Sequence, residues 1–160
     1  MPHAKAPPSV LFVCTGNICR SPMAHALLLH KAAALDYQVQ VDSAAVSGAE
    51  LGNPVDRRAL TELRRRGIGM PPHRARRVTA TDFAHFDLLL GMTAEHVRIL
   101  QGQAPASASK VDLLMRHADH HGAIDVPDPW FGSARDFVGA FDMIEAGVDG
   151  LLQRLMTGPT

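Results

Sequence analysis

The sequence predicts an α/β protein in which a parallel β-sheet is covered by helices on both faces. Short apolar runs typical of buried strands alternate with helical patterns along the chain. One of these runs, residues 88–90, consists of three leucines in succession, which indicates a strand buried on both faces. The length of 160 residues fits one domain. In such a sheet, ligands bind beyond the carboxyl ends of the strands.

The first strand and helix are separated by a short polar loop. Residues 9–13 are apolar and rich in strand-forming side chains, and a Gly-Asn pair then interrupts the pattern. Ser21 suits the N-cap of a helix, and Pro22 suits its first position. We expect this helix to end near residue 35.

The second strand and helix follow the same order. Residues 39–44 predict a strand, and a loop leads to Asn53 and Pro54, a second cap-and-proline pair. The helix that this pair predicts runs through Arg66 and is stopped by Gly67.

Two further strands and two helices account for the second half. Residues 86–92 predict the third strand, Thr93 caps the next helix, and residues 111–114 predict the fourth strand. A long C-terminal helix is indicated by apolar residues that share one face: Phe137, Ala140, Phe141, Ile144, Val148, Leu151 and Leu155.

Composition narrows the classes of function. Sixteen basic and sixteen acidic side chains cancel, so no broad positive field favours nucleic acid or an anionic membrane. No apolar run reaches the ~18 residues that cross a bilayer.

The only cysteines are Cys14 and Cys19, so we expect reduced thiols and a cytoplasmic location. Residues 1–8 are expected to be a disordered end, and residues 9–157 one domain.

The loop after the first strand carries the chemistry. Cys14 ends the strand, and Arg20 follows six positions later where a helix begins. Backbone N–H groups in such a turn and the helix N-terminus attract an oxyanion, and the arginine adds a bidentate donor. A cysteine in this setting is favoured as the nucleophilic thiolate. Ser21 can donate a hydrogen bond to the sulfur. The predicted phosphate-binding residues are Thr15, Gly16, Asn17, Ile18, Cys19, Arg20 and Ser21.

These residues resemble the low-molecular-weight protein tyrosine phosphatase family, whose loop reads C-x-G-N-x-C-R-S-P. Residues 14–22 match every fixed position. Shorter matches lie at Asp42-Ser43-Ala44, Gly52-Asn53-Pro54, Gly67-Ile68, His73-Arg74-Ala75-Arg76, Phe86-Asp87 and Asp128-Pro129. The resemblance implies a three-layer α/β/α fold with a four-stranded parallel sheet, Rossmann-like or flavodoxin-like. It also implies hydrolysis of phosphomonoesters through a cysteinyl-phosphate, without a metal or another cofactor.

The resemblance assigns roles to single residues. Asp128 matches the family's general acid, which protonates the leaving oxygen and then activates water. Asn17, Ser21, Ser43 and His73 match the hydrogen-bonded support of the phosphate loop. Cys19 matches a second cysteine that traps oxidised Cys14 as a reversible disulfide.

The substrate pocket departs from the family pattern. We expect it to be lined by Ile18, Ala49, Leu51, Trp130 and Phe131. Ala49 stands where the family commonly has an aromatic residue, so one wall of the aryl slot is missing and the phosphotyrosine preference is expected to be moderate. The related arginine phosphatases usually have threonine at the position of Ile18, so the isoleucine favours the tyrosine branch.

Another departure concerns the orientation of the arginine. Thr93 stands where the family often has an aspartate that organises the phosphate loop. If that aspartate orients Arg20, the enzyme is slower or uses another partner, which the sequence does not identify.

Two alternatives compete with the phosphatase interpretation. A thiol-dependent arsenate reductase shares this loop but usually recruits further cysteines, and none follows Cys19. A non-catalytic phosphate-binding module is the second alternative, although Cys14, Arg20 and Asp128 are all present. Apart from these, His117, His120 and His121 suggest a metal site but fit a polar loop better. The expected partner is a phosphotyrosine-containing protein, with a tyrosine kinase as one candidate, and phosphate and oxyanion analogues are expected inhibitors. We expect a monomer or weak dimer.

Overall fold

A computed structural model of the chain describes residues 6–119, 122 and 124–158. Most of the predicted disordered end (1–8) and both His120 and His121 lie outside these residues. In the part of that end which is described, the Pro8 carbonyl accepts a hydrogen bond from Gln40 N–H at 2.8 Å.

Four parallel strands form one sheet in the order β2-β1-β3-β4. The strands are β1 (Ser9–Cys14), β2 (Gln40–Ala45), β3 (Leu88–Gly91) and β4 (Val111–Leu113). All four predicted strands are therefore confirmed, with ends that differ by one or two residues. β1 lies in the centre, and its last residue, Cys14, is in register with Ala45 of β2.

The helices form a layer on each face, which confirms the predicted three-layer architecture. They are α1 (Arg20–Ala34), α2 (Arg57–Arg65), α3 (Ala80–His85), α4 (Ala94–Gln103) and α5 (Ala134–Thr157). Short 3₁₀ helices occur at Pro105–Lys110, Leu114–His117 and Pro129–Phe131. Among the described residues, no helix combines the length and hydrophobicity that a membrane crossing requires.

Alternate residues of β1 enter two separate cores. Val10 and Phe12 pack with α1, α2 and α5, whereas Leu11 and Val13 pack with Phe83 of α3 and with α4. Successive side chains of a strand point to opposite faces, so a fully apolar strand supplies both cores. The central strand is thus anchored from both sides, and the loop that follows it has a rigid base.

The predicted start of the first helix is wrong by two residues. α1 begins at Arg20, Cys19 occupies the N-cap position, and Ser21 lies inside the first turn. Ser21 does not cap because its hydroxyl is bonded to Cys14 and Asn17. Pro22 is tolerated in this turn because the first N–H groups of a helix have no intrahelical partner.

The second helix also begins later than predicted, and a third was missed. Asp56 caps α2 by accepting a hydrogen bond from Arg58 N–H at 2.8 Å, whereas the Asn53 side chain donates to Glu50. The six-residue helix α3 begins with a capping box formed by Thr79 and Asp82. Helices this short give too few turns for a periodic apolar pattern to show.

The strand order reverses direction at β1, because β2 lies on one side of it and β3 on the other. This arrangement opens a crevice above the carboxyl end of β1. Cys14 and the loop that follows it lie at that end.

Candidate active site

Cys14 is placed by the strand and held by the loop. Its side chain is buried at the last position of β1. The Sγ atom lies 2.9 Å from Ser21 Oγ and accepts a hydrogen bond from Asn17 N–H at 3.3 Å. The sulfur thus lies within hydrogen-bond distance of two groups that can donate to it.

Asn17 is the centre of the loop's support. It is fully buried and has a φ of 62°, a left-handed conformation that asparagine adopts more readily than most residues. Its amide donates to Ser21 Oγ and Ser43 Oγ, each at 2.9 Å. Its carbonyl accepts from His73 Nε2–H at 2.9 Å, and its Oδ1 accepts from Arg76 N–H at 3.1 Å. Every predicted support residue is therefore in one hydrogen-bond network.

This network fixes the direction of the Ser21 hydroxyl. Since Ser21 Oγ already accepts a hydrogen from the Asn17 amide, its own hydrogen is free to be donated to Cys14 Sγ. The buried network has few alternative arrangements because each member has a partner.

Arg20 reaches from the start of α1 across the site. Its side chain is buried, and Nη1 donates to the carbonyl of Val126 at 2.9 Å. Its Nη2 lies 3.4 Å from Thr15 Oγ1 and 3.5 Å from Asp128 Oδ2. The guanidinium thus joins the loop after β1 to the segment that carries Asp128.

Asp128 lies on a loop that Arg58 fixes from α2. Asp128 Oδ1 accepts a hydrogen bond from Trp130 N–H at 3.0 Å. The guanidinium of Arg58 donates to the carbonyls of Trp130 and Gly132, at 3.0 and 3.1 Å, and pairs with Asp56 at 3.1 Å. This role could not be recognised from the amino-acid pattern, because an arginine in a basic helix resembles its solvated neighbours.

A cleft of about 180 Å³ opens above Cys14. It is lined by Cys14, Thr15, Gly16, Ile18, Cys19, Arg20, Ser47, Ala49, Glu50, Asp128, Trp130 and Phe131. Of the predicted pocket residues, only Leu51 does not line it, and that side chain is 56% exposed. Ser47 and Glu50 were not predicted. The lack of a side chain at Gly16 leaves room for Glu50, because a Cβ at this position would lie 3.1 Å from Glu50 Cγ.

Two aromatic rings form the open wall of the cleft. Trp130 and Phe131 pack edge to face with ring centroids 4.7 Å apart, and they are 42% and 85% exposed. Exposed aromatic side chains of this size are available to stack on a ligand ring. Ala49, in contrast, contributes only a methyl group to the lining.

The second cysteine, Cys19, is also buried. Burial raises the pKa of the Cys19 thiol, and the Asp56 carboxylate acts in the same direction. Cys19 is therefore kept as a neutral thiol beside Cys14, and both cysteines are free.

Two buried histidines make stability depend on pH. Burial lowers the pKa of His25 and of His96 to about 4, from an ordinary value of 6.5. Within the part of the chain that the structure describes, Nδ1 of His25 has no hydrogen-bond partner, and the centroids of the His25 and His73 rings lie 6.5 Å apart. The unfolded chain binds a proton on each histidine below pH 6.5, whereas the folded chain does so only near pH 4. The stability that the two neutral histidines contribute is therefore fully present above pH 6.5 and is lost as the pH falls toward 4.

We expect the free energy of unfolding to fall between pH 7.5 and pH 5 by about 2 kcal/mol for each of these histidines. Urea unfolding at the two pH values measures this loss. A His25→Leu variant, which has no titratable group, should lose about 2 kcal/mol less than the wild type over the same range. An equal loss in the variant would show that His25 titrates normally in the folded chain.

The fold and the site together define a class, the phosphatases that carry a cysteine at the base of an anion-binding loop. Similarity to known proteins narrows this class. The model of the family described as "Low molecular weight phosphotyrosine protein phosphatase" matches residues 9–158. The chain belongs to this family.

Individual relatives cover nearly the whole chain. A low molecular weight protein-tyrosine-phosphatase of Streptomyces coelicolor is 40% identical over 149 residues, which is 89% of this chain and 90% of the relative. The crystal structure of YfkJ from Bacillus subtilis superposes with a TM-score of 0.90 at 34% identity, covering 99% of this chain and all of that one. The YwlE arginine phosphatase from Geobacillus stearothermophilus gives a TM-score of 0.84 at 32% identity, covering 94% of each chain.

Proposed function

We propose that this chain removes phosphate from phosphotyrosine in proteins and from small aryl phosphates, through a cysteinyl-phosphate intermediate. One observation carries the proposal: Cys14 Sγ is held by donors from Asn17 and Ser21 at the base of a cleft that Arg20 and Asp128 border. Nucleophile, anion-binding group and proton donor are thus within reach of one phosphoryl group.

The first step transfers the phosphoryl group to the enzyme. The Cys14 thiolate attacks phosphorus, an S–P bond forms, and the bond to the leaving oxygen breaks. Arg20 and the loop N–H groups stabilise the charge on the phosphoryl oxygens. Asp128 gives its proton to the leaving oxygen, so the product leaves as a neutral phenol.

The second step releases phosphate. Asp128, now a carboxylate, takes a proton from a water molecule that attacks phosphorus, and the S–P bond breaks. The Ser21 hydroxyl, directed at Sγ by Asn17, stabilises the departing thiolate. Inorganic phosphate is released and free Cys14 is regenerated, with water as the added reactant.

The cleft favours an aromatic ester. Trp130 and Phe131 can stack on a phenyl ring, and Ile18 adds an apolar contact on the loop. We propose a phosphotyrosine-containing protein as the partner, a tyrosine kinase among the candidates, and inhibition by phosphate and other oxyanions. We also propose that the chain is a monomer or a weak dimer.

Cys19 has a protective role in this proposal. When a peroxide oxidises Cys14 to a sulfenic acid, the Cys19 sulfur attacks the Cys14 sulfur, an S–S bond forms, and the sulfenic hydroxyl leaves as water with the Cys19 proton. Both side chains line the same cleft. A nucleophilic thiol and a reversible disulfide suit a reducing compartment, so we propose that the protein works in the cytoplasm.

Phosphopeptides that differ only in the modified residue test the proposed substrate. We expect kcat/KM for a phosphotyrosine peptide to exceed that for a phosphoserine peptide at least about 100-fold, since the shorter side chain places phosphorus away from Cys14. Faster hydrolysis of a phosphoarginine peptide would assign the chain the activity named for its Geobacillus neighbour. Reduction of arsenate with an added thiol would favour a reductase.

The aromatic wall is tested in the same assay. Trp130→Ala should raise KM for the phosphotyrosine peptide about 5-fold, which is the weakening of binding expected when one aromatic contact is lost. Leu51→Ala is the matched control, because that side chain lies outside the cleft. Equal effects of the two substitutions would contradict stacking on Trp130.

A further inference from the structure

His96 is a buried side chain beside the cleft whose place in the site is set by the start of α4. It is the third residue of that helix and only 3% exposed. It packs over the end of β3, where a Cβ on Gly91 would lie 2.9 Å from His96 Cβ. The capping residue Thr93 was expected, whereas the histidine that it holds was not.

The hydrogen bonds of Thr93 fix the tautomer of His96. Thr93 N–H donates to Nδ1 of the ring at 3.2 Å, and His96 N–H donates to Thr93 Oγ1 at 3.2 Å. A ring nitrogen that accepts carries no hydrogen, so the neutral ring must carry its hydrogen on Nε2. Burial and the positive charge of Arg20 lower the pKa of His96 to about 4, against the opposing carboxylates of Asp125 and Asp128. The ring is therefore neutral above pH 5.

The Nε2–H of His96 is directed at the phosphate loop. Nε2 lies 2.9 Å from Thr15 Oγ1, and Arg20 Nη2 donates to the same oxygen at 3.4 Å. With both acceptor positions of this oxygen in use, its own hydrogen must be donated elsewhere. Thr15 is exposed and lines the cleft, so the hydroxyl hydrogen is available to a ligand there.

We propose that His96 is a positioning residue for phosphoryl transfer: through Nε2–H it holds the Thr15 hydroxyl, which steadies Arg20 and donates its own hydrogen to a phosphoryl oxygen. This inference rests on the proposed phosphatase function. The Thr15 hydroxyl is thereby a partner of Arg20 in a chain that has Thr93 in place of the aspartate common in the family.

Two substitutions at His96 separate its two contacts. His96→Asn keeps an acceptor for Thr93 N–H but is too short to reach Thr15. His96→Gln can place its amide donor near the position of Nε2. We expect His96→Asn to lower kcat for an aryl phosphate about 5- to 10-fold with little change in KM, and His96→Gln to restore most of it. Equal loss in both variants would assign the effect to packing and overturn the proposal.

A double-mutant cycle shows whether His96 acts through Thr15. Thr15→Val keeps the shape of the side chain and removes the hydroxyl. If the two residues form one unit, the double variant Thr15→Val with His96→Asn is no slower than Thr15→Val alone, within about 2-fold. If the rate losses of the two single variants multiply in the double variant, the two residues act independently and the proposal is overturned.

The tautomer of His96 can be determined without measuring enzyme activity. ¹⁵N spectra of the histidines at pH 6 should show His96 protonated on Nε2, with a resonance that shifts in Thr15→Val. A hydrogen on Nδ1 would overturn the proposal whatever the activity. If the wild type shows the Nε2 tautomer but hydrolyses no phosphoester, the phosphatase function fails instead. The positioning proposal is then overturned as well if Thr15→Val does not weaken binding of inorganic phosphate.

Discussion

Cys14→Ser is expected to lower the hydrolysis of an aryl phosphate by at least about four orders of magnitude, the scale on which removal of a nucleophile acts. Among the described residues, Cys14 Sγ has hydrogen-bond contacts with the Ser21 hydroxyl and Asn17 N–H, which serve as donors, so a serine hydroxyl at this position would have no hydrogen-bonded base to take its proton. Release of the phenol product under reducing conditions measures the loss.

Trapping of the intermediate gives an independent measurement. Acid-quenched wild-type enzyme should hold one phosphoryl group per chain, bound to sulfur, and Cys14→Ser should hold none on sulfur. The variant must still be folded, which its stabilisation by inorganic phosphate would show. Turnover at the wild-type rate in a folded, phosphate-binding variant would exclude Cys14 as the nucleophile.

The elements that a local sequence pattern defines could be predicted from the sequence alone. Each strand is a short apolar run, and the loop from Cys14 to Pro22 is a contiguous segment, so both could be recognised without knowledge of the fold. The buried face of α5 could also be predicted, because apolar residues recur at helical spacing over many turns of this 24-residue helix.

Helix starts were predicted less well because capping residues can have other duties. The Ser21 hydroxyl is bonded to Cys14, and the Asn53 amide is bonded to Glu50, so neither caps the helix that it was expected to begin. Side chains of this kind bond to whichever group the tertiary structure brings near, and a local pattern does not contain that information.

The missed site residues act over long separations in the chain. His96 contacts Thr15 from 81 positions away, and Arg58 holds the Trp130 carbonyl from 72 positions away. Each is an ordinary residue of an amphipathic helix when seen in sequence. Their roles arise only because the parallel sheet brings the carboxyl ends of β1 and β3, and the loop bearing Asp128, to one edge.

The effect of removing Asp128 should depend on the leaving group. For phenyl phosphate, whose leaving oxygen is strongly basic, Asp128→Asn should lower kcat by about 10²- to 10⁴-fold, the usual contribution of general acid catalysis. For an ester with several electron-withdrawing substituents, the leaving oxygen needs little protonation, and transfer of the phosphoryl group to Cys14 should be much less affected. Pre-steady-state release of the two phenols measures that step directly.

Asp125→Asn is the matched control on the same segment. Asp125 Oδ1 accepts a hydrogen bond from Ala94 N–H at 2.8 Å, so its carboxylate serves the start of α4 and not the cleft. This variant should show the same ratio of rates for the two esters as the wild type. Equal losses for both esters in Asp128→Asn would point instead to a role in holding Arg20, whose Nη2 lies 3.5 Å from Asp128 Oδ2. The leaving-group dependence therefore separates proton donation from positioning at a single residue.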